Sequence, residues 1–161
     1  MNIAVLAGGY SPERDVSLTS GSLIANALIR RGHRVLLLDP YLGTTLPSDP
    51  DTLFQSEPYP VHSVKTAEPD LAALKAQADQ GEALVGKNVD HLCRRADVVY
   101  VALHGGAGED GRLQGYLDCL GVPYTGTGAL GAMLSMDKDI AKTLLSAAGI
   151  PTPHGIVFDP I

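Results

Sequence analysis

The chain has 161 residues, 45% of them hydrophobic and 19% charged, with a formal net charge of -6. That length suits one ordinary domain able to bury roughly two thirds of its unfolded surface, so a core of its own is expected. The acidic balance without a long basic run speaks against nucleic acid, whose phosphates need a positive stripe.

The opening MNIAVLAGGY has no cationic leader, and its apolar run is too short for a signal peptide or a membrane span. A cytoplasmic protein is expected, with no membrane partner. Asn2–Ala7 reads as a buried strand, followed by the glycine-rich turn GGYSPERD. Val16–Arg31 carries apolar residues at 23, 24, 27 and 28, the stripe of an amphipathic helix, and Gly32 closes it. HRVLLLD follows as a second buried strand, which makes the strand-helix-strand unit of a parallel sheet. Between Pro40 and Pro69 the prolines at 40, 47, 50, 58, 60 and 69 exclude any regular element longer than a turn or edge strand.

DLAALKAQ predicts a helix, and NVDHLCRRA another with Asn88 as its N-cap. Strand Val98–Leu103, the loop HGGAGEDGRLQG, a helix ending at Gly121 and the short strand VPYT come next. Ala129–Ala148 reads as a broken helical pair, with Asp137 capping the second helix and Gly149 ending it, before IPTPHGIVF begins a new strand. The alternation predicts an α/β fold: an open, mostly parallel sheet with helices on both faces and ligands at the C-terminal ends of its strands. Arg30, Arg31, Arg34, Arg94 and Arg95 fall near helix ends and read as solvated surface. The two cysteines, Cys93 and Cys119, lack metal spacing and occupy apolar helical positions, so both are expected to be buried thiols.

GAGEDG spells G-x-G-x-x-G between a strand and a helix, the form of a dinucleotide-binding turn. The chemistry argues against it. Glu109 and Asp110 would repel a pyrophosphate at close range, and no acidic residue stands about 20 positions on to hold a ribose hydroxyl. A dinucleotide-dependent oxidoreductase is therefore the third reading. The two glycine loops both follow buried strands, so they should face one cleft.

In that cleft Glu13 is either a first-turn carboxylate favoured by the helix dipole or the anchor of an ammonium group. His104 ends a strand, where it serves the site or is satisfied by local backbone. Glu109 and Asp110 are helix-capping residues or an acid-base pair. Lys138 begins a helix against the dipole, a conflict that a nearby anion would remove. No nucleophile elbow, P-loop or metal-ligand cluster is present in the sequence.

Together, GGYSPERDVSLTSG, HGGAGEDGRLQG, GVPYTGTGALGAMLSMDK and LLSAAGIPTP resemble, in order, the signatures of D-alanine-D-alanine ligases. These are ATP-grasp enzymes of bacterial peptidoglycan precursor synthesis. Only Pro40–Lys87 carries no distinctive match. The resemblance implies a Rossmann-like pre-ATP-grasp domain over 1–137, with the first elements of a truncated ATP-grasp domain over 138–161. It implies that Glu13 holds the ammonium of the first D-alanine, with Val16 against its methyl group and Ser17 and Gly105 lining the same site. His104 would line the pocket where that substrate's carboxylate is activated, and Lys138 would reach the nucleotide phosphates.

The family uses ATP and Mg²⁺: ATP phosphorylates the first D-alanine, and the second D-alanine's amine attacks the acyl phosphate. The chain stops before the family's central and C-terminal portions. It is expected to be a piece of a longer ligase, inactive alone and homodimeric through this part. Tyr10 and Asp15 depart from the family pattern. The competing expectation is a non-catalytic amino-acid-binding module, standing alone or paired with a separate ATP-grasp chain.

Overall fold

The computed structural model describes residues 1–78, 83–156 and 158. Three parallel strands form the sheet: β1 (Asn2–Leu6) lies between β2 (Arg34–Leu38) and β3 (Val98–Val101). The register sets Ile3 beside both Val35 and Val98, and Leu6 beside both Leu38 and Val101. The open α/β architecture with parallel pairing is as the sequence predicts.

Side chains along β1 alternate between two cores, because successive residues of a strand point to opposite faces. Ala4 and Leu6 join Leu36, Leu38, Phe54, Leu92, Val99, Leu113 and Leu117, whereas Ile3, Val5 and Ala7 join Ala25, Val35 and Ala102. Each large aliphatic residue so buried contributes roughly 1.5–3 kcal/mol of transfer free energy.

Helix α1 (Arg14–Arg30) covers the second face with only part of the expected stripe, Ile24 and Leu28, which pack partly buried against that core. Leu23 is exposed, and the buried residues are Ser17, Gly21, Ser22, Ala25 and Asn26. The helix lies so close to the sheet that a Cβ at Gly21 would stand 2.3 Å from that of Ala7. Small side chains are what that approach requires.

The proline-rich excursion forms one 3₁₀ turn, Pro50–Leu53, and an isolated antiparallel bridge between Val35 and Gln55. Its last part, from Tyr59 to Lys65, straps α1: Asn26 exchanges two hydrogen bonds with the Tyr59 backbone, Ser22 accepts from His62 N–H, and Asp15 accepts from Lys65 N–H. Helices α2 (Leu71–Gln77) and α3 (Val89–Cys93) precede β3. Asn88 stands before α3 but does not cap it; its side-chain amide donates to Thr44 C=O, and its φ of 65° carries the chain into the helix.

Helix α4 (Arg112–Leu120) follows the second glycine loop, and Gly121 ends it in the left-handed region. VPYT makes only an isolated bridge from Tyr124 to Val99. Helices α5 (Ala129–Met136) and α6 (Lys138–Ala147) form the expected pair. Asp137 caps α6 by accepting from Asp139 and Ile140 N–H, and Gly149 turns the chain out at φ 75°. Residues 151–156 form no strand, and no helix among the described residues is long and apolar enough to cross a membrane. Cys93 is buried as expected, and burial pushes its thiol up to about 12; Cys119 is exposed, a correction.

Candidate functional site

The first glycine loop, residues 7–13, leaves the C-terminal end of β1. Its backbone is pinned at Gly9 by the carboxylate of Asp39, which follows β2 and also accepts from the amides of Tyr41 and Leu42. Arg14 pairs with the same carboxylate and donates to Gly9 C=O at 2.8 Å. This pair escaped the reading of the sequence, although an aspartate at the end of the apolar run VLLLD was a signal available there. Glu13 occupies the N-cap position of α1, yet its side chain makes no capping bond. Its exposed carboxylate is left to face the second loop.

The second loop leaves β3 and makes a single 3₁₀ turn, Gly106–Gly108. Gly105 needs its φ of +68°, and a Cβ there would meet Ser11 Oγ at 2.8 Å and Glu13 Oε2 at 3.2 Å. The two loops are therefore in contact, backbone against side chain. His104 Nδ1 lies 4.0 Å from Glu109 Oε1, and its Nε2 lies 3.4 Å from Ser20 Oγ. Ligand-type atoms of Glu13, His104 and Glu109 all lie within 4.8 Å of one another.

Asp110, the neighbour of Glu109, points elsewhere and accepts from Arg112 N–H and Nε. Partial burial pushes its carboxyl up, but these Arg112 contacts outweigh that and leave it below the usual carboxylate value. Asp110 thus accepts from the first amide of α4 from the position before the N-cap, Gly111, and among the described residues Glu109 makes no such bond.

Beside His104 a cavity of about 240 Å³ opens where the loops meet Pro40, Tyr41, Lys75 and Leu84, with Leu103 and Arg112 also in its lining; Glu13, Val16 and Glu109 lie outside that lining. Among the described residues, the backbone amides of His104, Gly105, Gly106 and Ala107 make no hydrogen bond within the chain. Amides left without an acceptor inside the chain favour an anionic group, and the paired glutamates favour a cationic one. The cleft is chemically dipolar.

The other sequence-predicted residues divide. Val16 is exposed on α1 one turn from Glu13, while Ser17 is fully buried with its hydroxyl bonded inside the fold. Lys138, the first residue of α6, is exposed and does not line the cavity.

A family profile described as the D-ala D-ala ligase N-terminus matches residues 2–127. The chain belongs to the D-alanine-D-alanine ligase family. A D-alanine--D-alanine ligase of Pediococcus pentosaceus is 40% identical over 164 residues, covering 98% of this chain and 46% of the relative. One of Lacticaseibacillus casei is 38% identical over 157 residues, covering 94% of this chain and 43% of the relative. The solved D-alanine-D-alanine ligase of Coxiella burnetii aligns with a TM-score of 0.58 at 31% identity, over 94% of this chain and 43% of that one. The chain thus spans under half the length of these ligases.

The family implies ATP and Mg²⁺, and the described residues do not by themselves fit either. Mg²⁺ demands near-octahedral oxygen ligands, whereas the convergent cluster mixes one imidazole with two carboxylates. A cavity of about 240 Å³ also falls below the usual range for ligand pockets, about 300–1,000 Å³.

Proposed function

We propose that the cleft between the two glycine loops binds the first D-alanine of a ligase reaction. The observation that carries this reading is the convergence of Glu13, His104 and Glu109 within 4.8 Å where the loops meet. Among the described residues, neither glutamate is paired with a lysine or arginine. An ammonium group placed there gains two charge-assisted hydrogen bonds and relieves the repulsion between like charges.

The substrate carboxylate then turns toward the free amides of residues 104–107 and the His104 ring. Val16 packs near its methyl group, and Gly105 lets the backbone approach without a side chain in the way. His104 holds the carboxylate end in place. ATP and Mg²⁺ belong to the part of a full-length ligase that this chain does not span, with 138–161 as its first elements and Lys138 as one cation on the phosphate side. The same reading makes the chain inactive alone, part of a cytoplasmic homodimer, and a contributor to the dipeptide used in peptidoglycan.

Glu13→Gln in a full-length ligase carrying this chain tests the reading. The KM for the first D-alanine should rise at least about tenfold, since a charge-assisted hydrogen bond is worth ~1.5–3 kcal/mol, with the unfolding temperature unchanged. Unaltered kinetics would remove the ammonium assignment. Binding of D-alanine by the 161-residue chain with no effect on ligase kinetics would instead favour a non-catalytic amino-acid-binding module.

A further inference from the structure

Ser17 stands on the first turn of α1 and is fully buried, yet its hydroxyl is used twice across the fold. It donates to Ala102 C=O at 2.7 Å and accepts from Gly8 N–H at 2.8 Å. Gly8 opens the first glycine loop at φ +94°, and Ala102 lies two residues before His104 in the second. One buried oxygen therefore ties both loops to the helix that carries Glu13. Ser20 Oγ adds a longer contact to His104 at 3.4 Å from the same helix. With its donor and an acceptor site committed inside the fold, the Ser17 hydroxyl is turned away from any ligand.

We propose that Ser17 is a positioning residue of the cleft: acting through Gly8 and Ala102, it fixes the separation of Glu13 from His104 without touching the substrate. The proposal rests on the substrate reading of the cleft only for its functional consequence; the coupling of the loops is a property of the chain alone. Removing the hydroxyl would leave a buried N–H and a buried C=O unpaired, and each loop would move to recover a partner. Displacements near 1 Å at a binding constellation cost up to about a hundredfold in turnover.

The test compares ¹H–¹⁵N amide spectra of the 161-residue chain as wild type, Ser17→Ala and Asn26→Ala. Asn26 anchors the strap on the same helix and touches neither loop. In Ser17→Ala the peaks of residues 8–11, Glu13 and 102–106 should shift together, and the Gly8 amide should exchange with solvent at least about tenfold faster, as expected for a lost internal hydrogen bond. In Asn26→Ala those peaks should stay in place. A second loop that stays fixed in Ser17→Ala, or that moves equally in Asn26→Ala, overturns the coupling. If Ser17→Ala does not fold, Ser17→Cys decides in its place: the thiol keeps a weak donor and acceptor, and the shifts should be smaller but shared by both loops.

The functional arm uses a full-length ligase carrying this chain. There Ser17→Ala should raise the KM for the first D-alanine about tenfold, and Ser17→Cys should restore part of it. A wild-type ligase indifferent to D-alanine would sink the substrate reading while leaving the spectral result to judge the coupling.

Discussion

The adjacent carboxylates of the second loop have different work to do. Asp110 is held by Arg112 through its side chain and its backbone amide, while Glu109 lies beside His104 and within reach of Glu13. Glu109→Gln should therefore weaken D-alanine binding in the same direction as Glu13→Gln, because it removes one of the two negative charges around the ammonium. Asp110→Asn should leave that binding within about twofold and lower stability by less than ~1 kcal/mol, the scale of an exposed ion pair. D-alanine titrations of the two variants check this, and equal effects would break the division of roles. The sequence alone left both acids open, because adjacent residues on an irregular loop obey no periodicity that says where each points. Glu13 was open for the same reason: a first-turn acid and an ammonium anchor look alike until the side chain is found to make no capping bond.

Among the elements, the strands were plain in the sequence because runs such as VLLL and VVYV admit few other fates. Helix α1 was legible in extent but not in orientation. Of its apolar stripe at 23, 24, 27 and 28, Ile24 and Leu28 pack partly buried on the core, while close approach to the sheet buries the small residues Ser17, Gly21 and Ala25 more deeply. The strap from Tyr59 to Lys65 had no periodic signal, since it is held by side chains of α1 rather than by a ladder. Its contact with the first turn of α1 is Asp15, which accepts from His62 Nε2 at 3.2 Å and from Lys65 N–H at 3.3 Å. Burial alone would push the Asp15 carboxyl up; the Lys65 amide and the His62 ring outweigh it and hold it below the usual value. A carboxyl so depressed stabilises the fold fully above its unfolded pKa of about 3.9 and loses that contribution as pH falls through the folded value. Wild-type stability to urea should accordingly fall more steeply than that of Asp15→Asn between about pH 5 and pH 2. Parallel pH profiles for the two proteins would show that the strap contact contributes nothing.

Across the whole molecule, stability and the outermost helix are separable. Both cores are built from the strands and from residues of α1, α3, α4 and the excursion, and none of their members lies beyond residue 124. Helix α5 buries only Ala132, and α6 buries no residue at all. Large apolar side chains are exposed at this end, among them Leu130, Met133, Met136, Ile140, Leu144, Leu145 and Ile150. The N-terminus profile also ends at residue 127, before either helix begins. Burial is what converts helix formation into stability in a protein of this kind, because a short helix with no packed face is marginal in water. Deleting residues 138–161 should therefore lower the far-UV helical signal while leaving the urea midpoint of the sheet domain nearly unchanged. The slope with urea should change little as well, since it follows the surface exposed on unfolding and α6 adds little buried surface to lose. Self-association should decrease, because the deletion removes Ile140, Leu144, Leu145 and Ile150 from the surface. A large fall in the midpoint would place α6 within the cooperative unit and would move the proposed boundary at 137 toward the chain's end.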